Sequence, residues 1–70
     1  MLDELKRLIK AMPFMPFTLH MTDGRAFRIP RPDHIAVMVK GLIVVQDDEG
    51  VVNLLPPLLL VGIETQTPTG

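Results

Sequence analysis

Apolar residues recur every three or four positions at the start of the chain. Charged residues fill the gaps, and the apolar positions are Leu2, Leu5, Leu8, Ile9 and Met12. This spacing predicts an amphipathic helix over residues 3–12, with Asp3 as its N-cap and Pro13 ending it. A helix of about ten residues is unstable alone, so we expect its apolar side to cover a sheet or close one end of a barrel.

Beyond residue 16 the apolar positions change to a period of two, which is typical of half-buried strands. The alternation and the turn residues predict strands over residues 17–22, 25–29, 34–39, 42–47 and 51–55, with a closing strand over 60–64. We therefore predict a single all-β domain over residues 1–64, a five-stranded small bent barrel with a short N-terminal α-helix. Residues 65–70 are predicted to form a flexible polar tail.

The glycines in the turns predict how the strands pair. A three-residue loop over residues 22–24 would pair Leu19 with Phe27 and keep the apolar side chains of this hairpin on one face. A similar loop before the fifth strand would pair Val44 with Leu54. The first of these loops places Gly24 at the left-handed position that such loops require.

The middle hairpin is apolar on both of its faces. For it we predict a two-residue loop, Lys40-Gly41, which pairs Val37 with Val44. One face would then belong to the core. The other face needs to be covered by the helix or by another subunit, and we expect Ala36, Met38, Ile43 and Val45 to form an interface there.

Composition narrows the ways in which a domain of 70 residues can be stabilised. A chain of this size buries only about 60% of its unfolded surface, so extra stabilisation is expected. There is no cysteine, which excludes disulfides, cysteine zinc sites and thiol nucleophiles, and there is no serine nucleophile either. We therefore predict an apolar core, self-association, no enzymatic activity, no cofactor and no metal site.

The charges are nearly balanced, with a net charge of −1. Residues 1–33 carry six basic and four acidic side chains, whereas residues 34–70 carry one basic and four acidic ones. This balance argues against a strong electrostatic attraction to nucleic acid or to a membrane surface. The longest apolar stretch, residues 54–63, contains two prolines and is shorter than the roughly 20 residues that span a bilayer. With no signal-type run at the start, the predicted location is cytoplasmic.

Basic residues on one face of the first hairpin form the candidate polar site, His20, Arg25, Arg28 and Arg31. Lys40, from the turn of the middle hairpin, completes the candidate set for ligand or nucleic-acid binding. Arginine side chains can bind phosphate or carboxylate groups through two hydrogen bonds. The sequence, however, lacks exposed aromatic side chains on which the bases of single-stranded RNA could stack. Salt bridges between subunits, to Asp47, Asp48 or Glu49, are an equal alternative. The acidic run itself is interpreted as a solvated turn.

Several short motifs together resemble a family of short bacterial proteins of unassigned function. They are Pro13-Phe14-Met15-Pro16-Phe17, Thr22-Asp23-Gly24-Arg25, Pro32-Asp33-His34 and Gly62-Ile63-Glu64, and the resemblance spans residues 2–64. The order of elements is also similar to Sm-like small barrels, a resemblance that implies five bent strands and ring formation. The Met-Asn and Arg-Gly pairs of RNA-binding Sm loops are absent.

These observations favour a non-enzymatic protein-interaction module that is homo-oligomeric or binds another protein. One alternative is an Sm-like RNA-binding protein that uses Arg25, Arg28 and Lys40. A second alternative is a regulatory or antitoxin-like component of a larger system. An enzyme would need a pocket that brings together His34 and Asp33.

Overall fold

A computed structural model describes residues 1–65 as one helix and six strands. They are α1 (Leu2–Lys10), β1 (Phe17–Met21), β2 (Ala26–Ile29), β3 (Ile35–Val37), β4 (Ile43–Gln46), β5 (Val52–Leu55) and β6 (Leu60–Thr65). Short 3-10 turns, Pro32–His34 and Pro57–Leu59, precede β3 and β6. The predicted mainly β architecture with a short N-terminal helix is confirmed. Of the predicted tail, Thr65 ends β6 and residues 66–70 lie outside the described residues.

The strands form two antiparallel sheets rather than the predicted closed five-stranded barrel. Sheet A has the order β2-β1-β6, and sheet B has the order β3-β4-β5. Within residues 1–65 no ladder joins β2 to β3. Pro30 and Pro32 lie between these strands and have no backbone N–H to donate, and a 3-10 turn follows, so the pairing cannot continue around the molecule.

Two of the predicted hairpin registers are confirmed. Leu19 lies opposite Phe27 in the β1–β2 hairpin, and Val44 lies opposite Leu54 in the β4–β5 hairpin. The backbone N–H of Met21 donates to the carbonyl of Arg25 at 2.9 Å and closes a three-residue loop. The predicted alternation of β1 is therefore confirmed, since its apolar side chains are buried and Thr18 and His20 lie on the other face.

The predicted register of the β3–β4 hairpin is wrong by one residue. Val37 lies opposite Ile43, and the N–H of Met38 donates to the carbonyl of Leu42 at 2.8 Å, so the loop has three residues, 39–41. A two-residue type I′ turn needs positive φ at both central residues. Among residues 1–65 only glycines have positive φ, and Lys40 is not one of them.

The register shift also changes the predicted interface. Ile43 and Val45 point into the core, where they are 0% and 2% exposed, so the prediction that they lie on the same face as Ala36 and Met38 is wrong. Ala36 and Met38 do lie on the face that points away from the core. A one-residue slip moves every side chain of a strand to the opposite face, which accounts for the error.

One hydrophobic core lies between the two sheets and the helix. Its ten buried residues are Leu5, Phe17, Leu19, Met21, Ile29, Ile35, Ile43, Val45, Leu55 and Leu60. The helix contributes Leu5, and Leu8 and Ile9 are partly buried against the same cluster. The predicted capping by Asp3 is wrong, because Met1 precedes the helix and Asp3 lies in its first turn, where a negative charge favours the helix dipole.

The segment between α1 and β1 links the helix to the core through two phenylalanines. The ring centroids of Phe14 and Phe17 lie 5.7 Å apart, and Phe17 is buried whereas Phe14 is partly buried against the core. This tilted arrangement is favourable for aromatic pairs. No helix in the described part of the chain is long and apolar enough to cross a membrane.

Candidate functional site

The face of sheet B that points away from the core is apolar apart from Gln46, which lies opposite Val52 at one end of β4. Its apolar residues lie at alternate positions of β3, β4 and β5 and at Met38 and Leu42, which flank β3 and β4. A direct row of cross-strand partners comprises Ala36, Val44 and Leu54. Met38, Val52 and Leu54 are 51%, 55% and 61% exposed. We call this surface the outer face, and it comprises Ala36, Met38, Leu42, Val44, Val52 and Leu54.

Helix α1 does not cover the outer face. Its buried residue Leu5 belongs to the core between the sheets, and a Cβ built on Gly41 would lie 3.1 Å from the Leu2 side chain and 3.6 Å from Pro57. These contacts place the start of α1 at the end of sheet B, near the β3–β4 loop. An antiparallel sheet usually leaves a solvated face polar, so this apolar face is the candidate contact surface.

Opposite charges lie at the two ends of sheet B. Lys40 belongs to the β3–β4 loop, and the acidic run belongs to the β4–β5 loop at the other end of β4. The Asp47 carboxylate accepts bonds from the N–H groups of Glu49 and Val51, both at 2.9 Å, and thereby shapes its own loop. In residues 1–65 no group of three or more potential ligands is arranged to hold a metal ion.

The predicted basic set does not converge on one place. Arg28 lies opposite Thr18 on the outward side of sheet A, whereas Lys40 belongs to sheet B and Arg31 to the segment between the sheets. His20 is on the same side as Arg28, but its Nε2 lies 2.9 Å from Glu64 Oε1. That contact joins β1 to β6 across the sheet.

Arg25 is engaged within its own hairpin. Its Nε donates to Asp23 Oδ2 at 2.6 Å, its backbone N–H donates to Asp23 Oδ1 at 3.1 Å, and its guanidinium lies 5.4 Å from the centroid of the Phe27 ring. The backbone N–H of Arg25, and then its guanidinium, hold the pKa of the Asp23 carboxyl below its usual value. Arg25 therefore shapes the β1–β2 loop.

A cleft of about 350 Å³ lies between β2 and the β4–β5 hairpin. The edge of β2 forms one wall and the inner side of the β4–β5 hairpin the other, and the polar lining consists of Arg28, His34, Asp47, Asp48 and Asn53. The Nδ1–H of His34 donates to the carbonyl oxygen of Gln46 at 2.9 Å. His34 thus extends the β3–β4 ladder by its side chain and has a structural role.

A second groove, of about 460 Å³, lies between α1 and β3. It is lined by Lys6, Ile9 and Lys10 from the helix and by Ile35, Ala36 and Val37 from the strand. Sequence reasoning missed this groove. The signal for it was present, since Lys6 and Lys10 are four residues apart and share one side of a helix.

Comparisons of the chain with protein-family models, with curated proteins and with solved structures find no match. The resemblance to short bacterial proteins stays a prediction from the sequence.

Proposed function

We propose that this chain is a non-enzymatic protein-interaction module that associates with its own copies through the outer face of sheet B. The observation that carries the proposal is the row of apolar partners Ala36, Val44 and Leu54 across all three strands of that sheet, in which Ala36 and Leu54 are exposed and Val44 is half-buried. Burying such side chains is favourable by roughly 25 cal/mol per Å² of apolar surface.

A second copy of the chain suits this surface better than an unrelated partner. Two sheets pack face to face when their strand directions lie within about 30° of each other, and a two-fold axis makes one apolar face complementary to itself. Domains of this length gain stability from oligomerisation when they have no disulfide or metal.

The charges at the ends of sheet B favour one orientation of the two copies. A two-fold axis in the interface and perpendicular to the strands brings the Lys40 end of each copy to the acidic end of the other. Asp48 and Glu49 are exposed there. This arrangement forms two equivalent attractive contacts at the rim and none between like charges, which supports specificity more than affinity.

A charged residue in the outer face tests the proposal. Leu54→Lys is compared with Val61→Lys, because these residues are 61% and 54% exposed but only Leu54 belongs to the outer face. By sedimentation equilibrium we expect the parent chain at a mass of at least twice 7.8 kDa. We expect Leu54→Lys at the monomer mass and Val61→Lys at the mass of the parent chain.

Two results would contradict the proposal. One is a parent chain that stays monomeric at high concentration, and the other is equal dissociation of the two variants. Circular dichroism of both variants checks that they stay folded, as is expected for substitutions at exposed positions.

The alternative of an Sm-like RNA-binding ring has weaker support. Arg7 forms a salt bridge with Glu4, and Arg25 forms one with Asp23, so part of the positive charge is neutralised locally. The remaining candidate cations, Arg28, Arg31 and Lys40, are spread over both sheets and the segment between them. Self-association through the outer face is therefore placed first.

A further inference from the structure

The strand β3 has a free edge in the described part of the chain. It is the first strand of sheet B and pairs only with β4. Met38 and Leu42 form a hydrogen-bonded pair. Because hydrogen-bonded and non-hydrogen-bonded pairs alternate along an antiparallel ladder, the backbone N–H and C=O groups of Ala36 also point toward β4. The backbone N–H and C=O groups of Ile35 and Val37 consequently point away from β4.

These free backbone groups face the groove beside α1. Consecutive residues of a strand point to opposite faces, so a groove lined by all of Ile35, Ala36 and Val37 lies along the strand's edge. The opposite wall comprises Lys6, Ile9 and Lys10, which lie on adjacent turns of α1. An open strand edge beside a helix is a site where an extended segment can add as a further strand.

The charge of the groove indicates what such a segment would carry. Lys6 and Lys10 are exposed, and neither makes a salt bridge within residues 1–65. Four helical residues rise about 6 Å, and alternate residues of a strand are about 6.6 Å apart. Two acidic side chains at alternate positions of an added strand would therefore match the two lysines.

We propose that the groove between α1 and β3 binds an extended segment of another protein in which acidic and apolar residues alternate. The segment adds to the free edge of β3, with its acidic side chains toward Lys6 and Lys10. Its apolar side chains lie beside Ala36 and Met38, which continues the outer face by one strand. The chain's own acidic run is an unsuitable occupant, because hydrogen bonds to Asp47 hold it in a tight loop.

A short capped peptide of alternating glutamate and valine, labelled with a fluorophore, is the probe. Its binding to the full chain is measured by fluorescence anisotropy. We expect Lys6→Glu with Lys10→Glu to weaken binding by about tenfold or more, since attraction at two positions becomes repulsion. The variant Lys6→Arg with Lys10→Arg should bind as the parent chain does, because the charge is kept.

The matched control for net charge is Arg28→Glu with Arg31→Glu. This pair changes the total charge equally on exposed residues outside the groove, and we expect less than about a threefold change in affinity from such distant, screened charges. Equal weakening by both double variants would overturn the proposal, because it would indicate only a general electrostatic attraction.

Backbone pairing is tested on the peptide. Two peptides are compared, one methylated at the odd-numbered amide nitrogens and the other at the even-numbered ones, so that each lacks the donors on one edge of the added strand. The peptide that has lost the donors facing β3 should not bind, and the other should bind as the unmodified peptide does. Equal binding of both methylated peptides would overturn strand addition, as would no binding of the unmodified peptide. The Leu54→Lys variant should still bind the peptide, which separates this inference from the proposed self-association.

Discussion

Gly41 illustrates at the residue scale how one backbone position controls a whole hairpin. Its φ is 93°, in the left-handed region that other residues rarely adopt, and it is buried. Gly24 occupies the same position in the β1–β2 loop with φ 87°. The surroundings of the two differ, since a Cβ at Gly24 would meet nothing within 4 Å, whereas one at Gly41 would meet Leu2 at 3.1 Å.

Substitution of these two glycines by alanine separates backbone strain from crowding. Gly24→Ala should lower the free energy of unfolding by about 1–2 kcal/mol through the left-handed conformation alone. Gly41→Ala should cost about 1 kcal/mol more, because the new methyl group pushes the Leu2 side chain. Urea unfolding measures both values, and equal losses would show that Leu2 yields without cost.

At the scale of elements, α1 is held by what it packs against. Nine residues are too few for a helix to be stable in water, and its start has no side-chain cap. Asp3 and Glu4 in the first turn and Arg7 and Lys10 in the last turn favour the helix dipole, but such terms contribute only about 0.3–1 kcal/mol each. The docking of Leu5 in the core therefore decides whether the helix forms.

Leu5→Ala should lower the free energy of unfolding by about 2–5 kcal/mol, as expected for a fully buried leucine. The helical part of the circular dichroism signal should fall with it, because α1 loses its anchor. Leu58→Ala serves as the control, since Leu58 is 91% exposed, and its effect should stay within about 0.5 kcal/mol. A stable variant with an undiminished helical signal would show that α1 is held by other contacts.

At the scale of the whole molecule, the fold leaves two surfaces incomplete. The core closes between the sheets and α1, but among residues 1–65 the outer face of sheet B is apolar and no strand pairs with the outer edge of β3. A small domain has little stability to spare, so burial of the outer face between two copies would contribute to folding as well as to function. Folding and assembly should then be linked.

Linkage makes the melting temperature depend on protein concentration. Association favours the folded state by mass action, so the melting temperature of the parent chain should rise as the chain is concentrated. The Leu54→Lys variant should melt at one temperature at all concentrations. Differential scanning calorimetry over a wide concentration range provides the comparison, and a parent chain with a constant melting temperature would argue against coupled assembly.

The sequence by itself determined the elements and two of the three hairpin registers. Period-two alternation identified the buried side of β1, and the apolar spacing before Pro13 identified α1. These are local properties, because the turn glycine and the alternating side chains lie within a few residues of each other. The existence of an apolar face outside the core was also predicted, because both faces of the middle hairpin are apolar.

Only the tertiary structure decided which residues form that face and where the sheet ends. Both faces of the β3–β4 hairpin are apolar, so the pattern could not distinguish two registers, and Ile43 and Val45 were placed on the wrong side. The groove between α1 and β3 depends on how two segments that are distant in the chain pack together. Such arrangements arise from contacts between residues far apart in the chain, which no local pattern encodes.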